Sequence, residues 1–472
     1  MKAVKWLVQA LAGAALVGWV LAGCGGGVGS GGTGMASGLA QGTVSGFGSV
    51  LVDGDRYDDS AIATYAETAP GQQVQTVARL GERVEVEAEL GQARRLRVDA
   101  AVLGAVETVS ADGFALLGQN VRINADAARG PVTQFAGGYL GLASVRAGDV
   151  VEVHAFVRRL AGGYQLQATR IERRDAAPAF VKVSGLISGR DAAGFQLGGL
   201  RVLTGGATVL PAGAVLTDGQ RVSVLAPAAS LVVEPGAAPV LRAAQLRVAV
   251  LGRAGDEVAI SGVIGLFDGA TGRFDLGGTL IDASAATLRP EGTTLADGLY
   301  VLARGTLQAD GSVRAATVRL RDGRSETETE LKGTVIGLDP ATLSFHVRGV
   351  PVDARTAEIE GCAGRPLAEG DYVKIEGRLG PTGVIAKSVH CEDAPADAVI
   401  EREGSAGSVD AAARRFVLAV PGGGSVAVSW SDITYFEGVS AATLAGQRVE
   451  VEGRLVDGVL QARKIELETP GN

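Results

Sequence analysis

The segment GQRVEVEGRL, Gly446 to Leu455, alternates apolar and charged side chains: Val449 and Val451 against Glu450 and Glu452. Successive side chains of a strand point to opposite faces, so this rhythm predicts a half-buried strand with valines inward and glutamates in water. The same pattern recurs along the chain. An opening glycine is followed, three and five positions on, by aliphatic residues or alanine, and seven positions on by alanine or glycine. It occurs at Gly81 (Val84, Val86, Ala88), Gly148 (Val151, Val153, Ala155) and Gly219 (Val222, Val224, Ala226). It occurs again at Gly298 (Val301, Ala303, Gly305), Gly370 (Val373, Ile375, Gly377) and Gly446 (Val449, Val451, Gly453). The small seventh residue predicts a bend or bulge. Copies open about 65–80 residues apart, the spacing of a tandem array.

The residues between copies repeat as well. A G-x-V-like opening strand begins at Gly42, Gly104, Gly185, Gly262 and Gly333, and a strand led by an aromatic follows at Phe114, Phe195, Phe274, Phe345 and Phe416. After the template strand, a Gly-rich turn leads to a closing strand: QATRIER, RAAQLRV, RAATVRL, IAKSVHC, QARKIEL. Short strands with frequent turn signals predict all-β structure. About five strands in about 65 residues fit a small closed barrel, which leaves no exposed sheet edge. The expected fold is a tandem array of five-stranded OB-like barrels behind a signal helix. Small β-sandwiches are the alternative that strand count leaves open. The units are 42–102, 103–176, 181–250, 259–322, 331–393 and 400–469. Most boundaries are polar or Pro/Ala-rich, as in RRDAAPAF and EDAPADA; the first has no clear linker, which leaves fusion of units 1 and 2 open. Each unit is marginal in size, so contacts between neighbours are expected to matter.

The leader changes the picture. Residues 1–23 carry Lys2 and Lys5, then an apolar run from Trp6 to Ala22, the layout of a secretory signal peptide. A retained membrane helix is the alternative, since the run is nearly long enough to span. The run ends in LAGC, Leu21 to Cys24, which resembles the lipobox of bacterial lipoproteins. That resemblance implies that Cys24 becomes the N-terminus and carries acyl chains. At about 0.8 kcal/mol per buried methylene, two or three chains anchor a protein stably. Gly25 stands where such lipoproteins often carry an aspartate for inner-membrane retention, which implies the outer membrane. Residues 24–41 read as a Gly/Ser tether with a reach of roughly 20–25 Å. Export also implies a compartment that permits disulfides.

The two other cysteines, Cys362 and Cys391, both lie in unit 5. In an OB-like barrel the third and fifth strands run parallel. Cys362 follows the third and Cys391 ends the fifth, so both emerge at one end and a disulfide is predicted. The alternative is a metal site of Cys362, His390, Cys391 and His346, although adjacent His-Cys is poor zinc spacing and no C-x-x-C pair exists. No metal or other cofactor is expected. His154 holds the template position of Glu87, Arg304, Glu376 and Glu452 and is expected on the surface. The chain has no G-x-S-x-G elbow, P-loop or H-E-x-x-H motif, and it is read as non-catalytic. DGDRYDD, Asp53 to Asp59, has the look of a calcium loop but lacks its glycine and its final glutamate, and reads as a hairpin turn at Asp53-Gly54.

OB barrels often bind single-stranded nucleic acid or oligosaccharides. A net charge of −8 and 4% aromatic residues oppose nucleic acid. With Trp6 and Trp19 in the leader, Trp430 is the sole tryptophan left after cleavage. Together with Tyr435 and Phe436 it forms the candidate ligand contact in unit 6, the alternative being a locally larger core.

GTVSGFGSVLVDGDRYDDS, Gly42 to Ser60, with the VEVEG strands and A-x-x-IE closers, resembles exported bacterial lipoproteins carrying repeated DUF5666 domains. Unit 1 matches best, and units 3 and 4 diverge. The resemblance implies a β-rich envelope lipoprotein and brings no activity with it. The functional expectation is a non-catalytic rod of barrels, tied to the membrane through Cys24, that binds or spaces an envelope protein or glycan. The alternative is a small-ligand or metal-ion binding protein centred on units 5 and 6.

Overall fold

A computed structural model describes residues 32–33, 37–321, 329–396 and 398–468. The signal segment and Cys24 lie outside the described residues. The tether ends earlier than its composition suggests: Ser37–Gly46 is already the opening strand of unit 1.

The template strands fold as their pattern predicts. The two inward residues of all six copies, from Val84 and Val86 to Val449 and Val451, are buried to within 3% of their surface. All six opening glycines adopt φ between 79° and 90°, left-handed backbone that glycine enters without strain. At the small seventh residue the register slips by one in five units, between Glu87/Ala88, His154/Ala155, Arg304/Gly305, Glu376/Gly377 and Glu452/Gly453. A side chain at this bulge points at the closing strand: a Cβ on Gly453 would stand 2.2 Å from the carbonyl oxygen of Gln461. In unit 3 the closing strand is instead broken into Val240–Arg242 and Gln245–Val248.

Each unit closes into an OB-like barrel, and unit 6 does so most simply. Val399–Asp410 pairs with Arg415–Ala419, which pairs with Ser425–Ser429. That third strand runs parallel to the closing strand Val459–Leu467, which pairs with the template strand Arg448–Val456. The template strand returns to Val399–Asp410 and closes the ring. The aromatic that leads each second strand fills the barrel: Phe114, Phe195, Phe274, Phe345 and Phe416 are all at most 3% exposed.

The expected rod does not form. Unit 1 touches all five other units. Its opening strand runs parallel to Glu257–Val263 of unit 4, pairing Leu39 with Val258 and Gln41 with Ile260. Phe47 bridges to Leu331 of unit 5. The amide of Arg83 donates to His154 Nδ1 of unit 2 at 3.2 Å. Lys182 of unit 3 pairs with Asp99 at 2.8 Å, and Arg463 of unit 6 with Asp59 at 2.8 Å. Val44, Val86 and Leu96 of unit 1 share one apolar core with Leu331, Phe345 and Ile375 of unit 5. Units 2 and 3 share another, joined by pairing of Val102–Ala105 with Phe180–Ser188.

The Asp53–Asp59 loop is the hairpin expected from Asp53-Gly54, with φ of 50° and 78° at its two turn residues. Three of its four acids, Asp53, Asp55 and Asp59, are turned away from water, and Asp58 is exposed. Asp53 accepts from the Thr43 amide at 2.9 Å and from Ser261 and Tyr300 of unit 4. Asp55 pairs with Arg304 and Arg319 of unit 4, and Asp59 with Arg463 of unit 6. One hairpin thus fastens two neighbours to the hub.

Candidate functional site: a groove where four barrels meet

A groove of about 740 Å³ opens between units 1, 2, 5 and 6. Its apolar wall includes Phe47, Phe135, Val350 and Pro351. Its polar wall comes from the template and closing strands of unit 6. Cross-strand register sets Glu403 opposite Glu450, Glu450 opposite Glu466, and Glu452 opposite Lys464. Like charges directly opposite on a sheet destabilise it unless something intervenes.

Cations relieve part of this ladder. Arg348 of unit 5 reaches Glu452 at 2.6 Å while lying 5.0 Å over the Phe47 ring. Burial raises the Glu452 carboxyl, but Arg348, with Arg463 and Lys464 behind it, holds the pKa below the usual glutamate value. Glu437 is held between Arg79 at 2.5 Å and Lys464 at 3.2 Å. Among the described residues, Glu450 has no such ion pair. Burial, with Glu466, Glu452 and Glu403 nearby, pushes its pKa up to about 7 against the pull of Lys464. Beneath the groove, Glu401 is fully buried against unit 5, where its amide donates to Thr334 Oγ1 at 3.1 Å. Among the described residues, neither of its carboxylate oxygens has a side-chain hydrogen-bond partner. Burial, then Glu450 and Glu452, raises its pKa well above the ordinary value.

The groove gathers only part of the expected site. Tyr435 lines it, as does His346 from unit 5, whose pKa burial lowers. Trp430 is not a surface contact: it is buried in the unit 6 core, 6.1 Å from the rings of Phe416 and Phe436. Phe436 is half-buried against the same core. The closing of the barrel over Phe416 draws both rings inward, which is the larger core weighed above. His154 is likewise misplaced by its surface expectation. It is 1% exposed, because unit 1 covers that face of unit 2. With Nδ1 accepting from Arg83, its Nε2–H is free to donate to Glu152 at 3.2 Å.

Cys362 and Cys391 form the predicted disulfide, with Cα atoms 5.0 Å apart. The parallel pairing of Glu358–Glu360 with the closing strand, Glu360 opposite His390, brings them together as anticipated. Among the described residues, the one group of three ligand-type side chains within metal-binding reach is Cys362, Asp371 and Cys391. The disulfide takes both sulfurs out of that chemistry. Also among these residues, no helix is long and apolar enough to cross a membrane.

Sequence reading missed the carboxylate ladder, although its signal was present: E-x-E in both IEREG and VEVEG. Glu450 and Glu452 read as water-facing because the outward face of a lone barrel is wet.

Among solved structures, drosophila Unr CSD456 is similar at 13% identity, with a TM-score of 0.13, over 47% of this chain and 100% of that one. No curated protein matches the sequence. The family described as domain of unknown function (DUF5666) matches residues 104–172, 261–319, 332–390 and 404–466. These are units 2, 4, 5 and 6. Unit 1, whose opening segment carried the resemblance, lies outside the matches, whereas unit 4, read as divergent, lies within one. The matches are tandem and cover more than half of the residues, so the chain belongs to the DUF5666 family.

Proposed function

We propose that this is a lipid-anchored cell-envelope protein, held at the outer membrane through Cys24, that binds an envelope protein or glycan without catalysing a reaction. The groove between units 1, 2, 5 and 6 carries the reading. Its volume of about 740 Å³ lies in the range of ligand sites, and it presents an apolar wall opposite a polar one. Several of its charges are committed to ion pairs across units, as in Arg348–Glu452 and Arg463–Asp59, which suits recognition by a fixed surface. The leader and LAGC support export and acylation.

The test uses full-length protein solubilised from membranes, applied to immobilised envelope glycans and, separately, to envelope proteins. Tyr435→Ala is expected to reduce retention on one of the two at least several-fold while leaving the melting temperature unchanged. Equal retention by the variant on both would remove the groove from consideration. Palmitate labelling and fractionation test the anchor independently. Cys24→Ala is expected to lose the label and leave the membrane fraction.

The groove also suits a small ligand contacting Tyr435 of unit 6 and His346 of unit 5. Native mass spectrometry of the purified protein separates this second reading, since a bound small molecule adds a discrete mass.

A further inference from the structure

A second cleft, of about 580 Å³, lies on another side of the hub, between units 1, 2 and 3. Five arginines line it: Arg83, Arg95, Arg97, Arg221 and Arg247. Three are neutralised. Arg95 pairs with Glu87 at 3.2 Å, Arg97 with Glu85 at 3.2 Å, and Arg247 with Glu67 at 2.8 Å. The Asp99 carboxylate is occupied by Lys182 at 2.8 Å and Arg97 at 3.5 Å.

Two guanidiniums remain without an ion pair among the described residues. Both stand at the same template position, two residues after the opening glycine: Arg83 in GERV and Arg221 in GQRV. Arg83 donates to Thr43 Oγ1, Ser261 Oγ and the Ser261 carbonyl. Among the described residues, Arg221 has a single side-chain hydrogen bond, to Gln41 Oε1 at 2.9 Å, for its five donors. Burial, with Arg83 and Arg97 close by, depresses the Arg221 pKa even though Asp99 and Glu85 oppose it. The same cleft holds another unused donor. Ser184 is 8% exposed, lines the cleft, and its Oγ has no partner. A half-buried cation beside an unpartnered hydroxyl is costly unless an acceptor fills the gap.

We propose that this cleft binds the oxyanion of a small molecule, a phosphate or carboxylate group, through Arg221 with Ser184 beside it and Arg83 adding positive potential. Two oxygens of such a group match the guanidinium fork, and the rest of the ligand lies toward Leu251 and Pro211, which also line the cleft. The one cleft carboxylate outside these ion pairs, Asp256, is turned to its own loop, accepting from the Arg253 amide at 2.7 Å.

Calorimetric titration of the full-length protein at pH 7 and low salt, with inorganic phosphate in one arm and citrate in the other, tests the proposal. Binding in either arm is expected, and the responding arm identifies the group. Arg221→Gln is expected to weaken it by roughly tenfold or more, and Arg221→Lys by less, because an ammonium keeps the charge but loses the fork. Ser184→Ala, a change too small to unfold the barrel, is expected to weaken binding several-fold. The wild-type melting temperature should rise with the same anion and lose that rise in high salt. No heat and no thermal shift in either arm overturns the proposal, as does undiminished binding by both Arg221→Gln and Ser184→Ala.

Discussion

At the scale of single residues, Glu450 in the wall of the groove carries the most perturbed charge of the unit 6 template strand. Val449 and Val451 are inside because a period of two demands it. Glu450 and Glu452 alternate just as clearly, yet the face they share is covered by units 1 and 5, which no local pattern encodes. The consequence is a pH dependence of definite sign. Glu450 has a folded pKa of about 7 against an ordinary value of 4.5. Its neutral form therefore stabilises the fold fully below about pH 4.5, and that contribution is lost as pH rises through 7. Glu450→Gln should leave the melting temperature nearly unchanged at pH 4.5 and raise stability at pH 8 by on the order of 1–3 kcal/mol. Glu401→Gln should act in the same direction. A wild-type melting temperature that stays flat from pH 5 to 8 in this region would contradict both expectations.

At the scale of elements, the template strand was read nearly whole: opening glycine, two inward residues, and a small residue at the bulge. The reason is that strand, turn and bulge are local, so their demands are written within ten residues. Gly453 makes the point testable. Ala88 and Ala155 occupy the equivalent bulges of units 1 and 2, so one methyl is tolerated where the closing strand yields. Gly453→Ala should destabilise unit 6 by about 1 kcal/mol, and Gly453→Val by roughly 2–4 kcal/mol, since a branched side chain must displace the Gln461 carbonyl. Thermal melts of the two variants check the order. The disulfide belongs to this scale too. Parallel pairing of the third and fifth strands was enough to place Cys362 near Cys391. At a sequence separation of 29, the bond should contribute roughly 3–4 kcal/mol to unit 5, read as the loss of stability on reduction.

At the scale of the whole molecule, the sequence was misleading. Six similar units with polar boundaries suggested a rod, because repeats usually touch only their neighbours in the chain. Here several hub contacts lie between residues hundreds of positions apart, such as Asp59 with Arg463. One trace in the sequence is the run of acids in a hairpin, Asp53, Asp55 and Asp59, beyond what the Asp53-Gly54 turn requires. Small-angle scattering should give a radius of gyration of roughly 23 Å for a single compact body, and a much larger value for separate barrels. Asp55→Asn, which leaves Arg304 and Arg319 facing a neutral amide, should loosen unit 4 from unit 1 and make proteolysis near residue 255 faster. The parallel seam between Ser37–Gly46 and Glu257–Val263 has a further consequence in time. Unit 1 is made long before it is enclosed, since more than two hundred residues must follow before its flank is met. Until then it waits with a bare strand edge, which makes the order of emergence, and the helpers that shield nascent chains, part of how this architecture is reached.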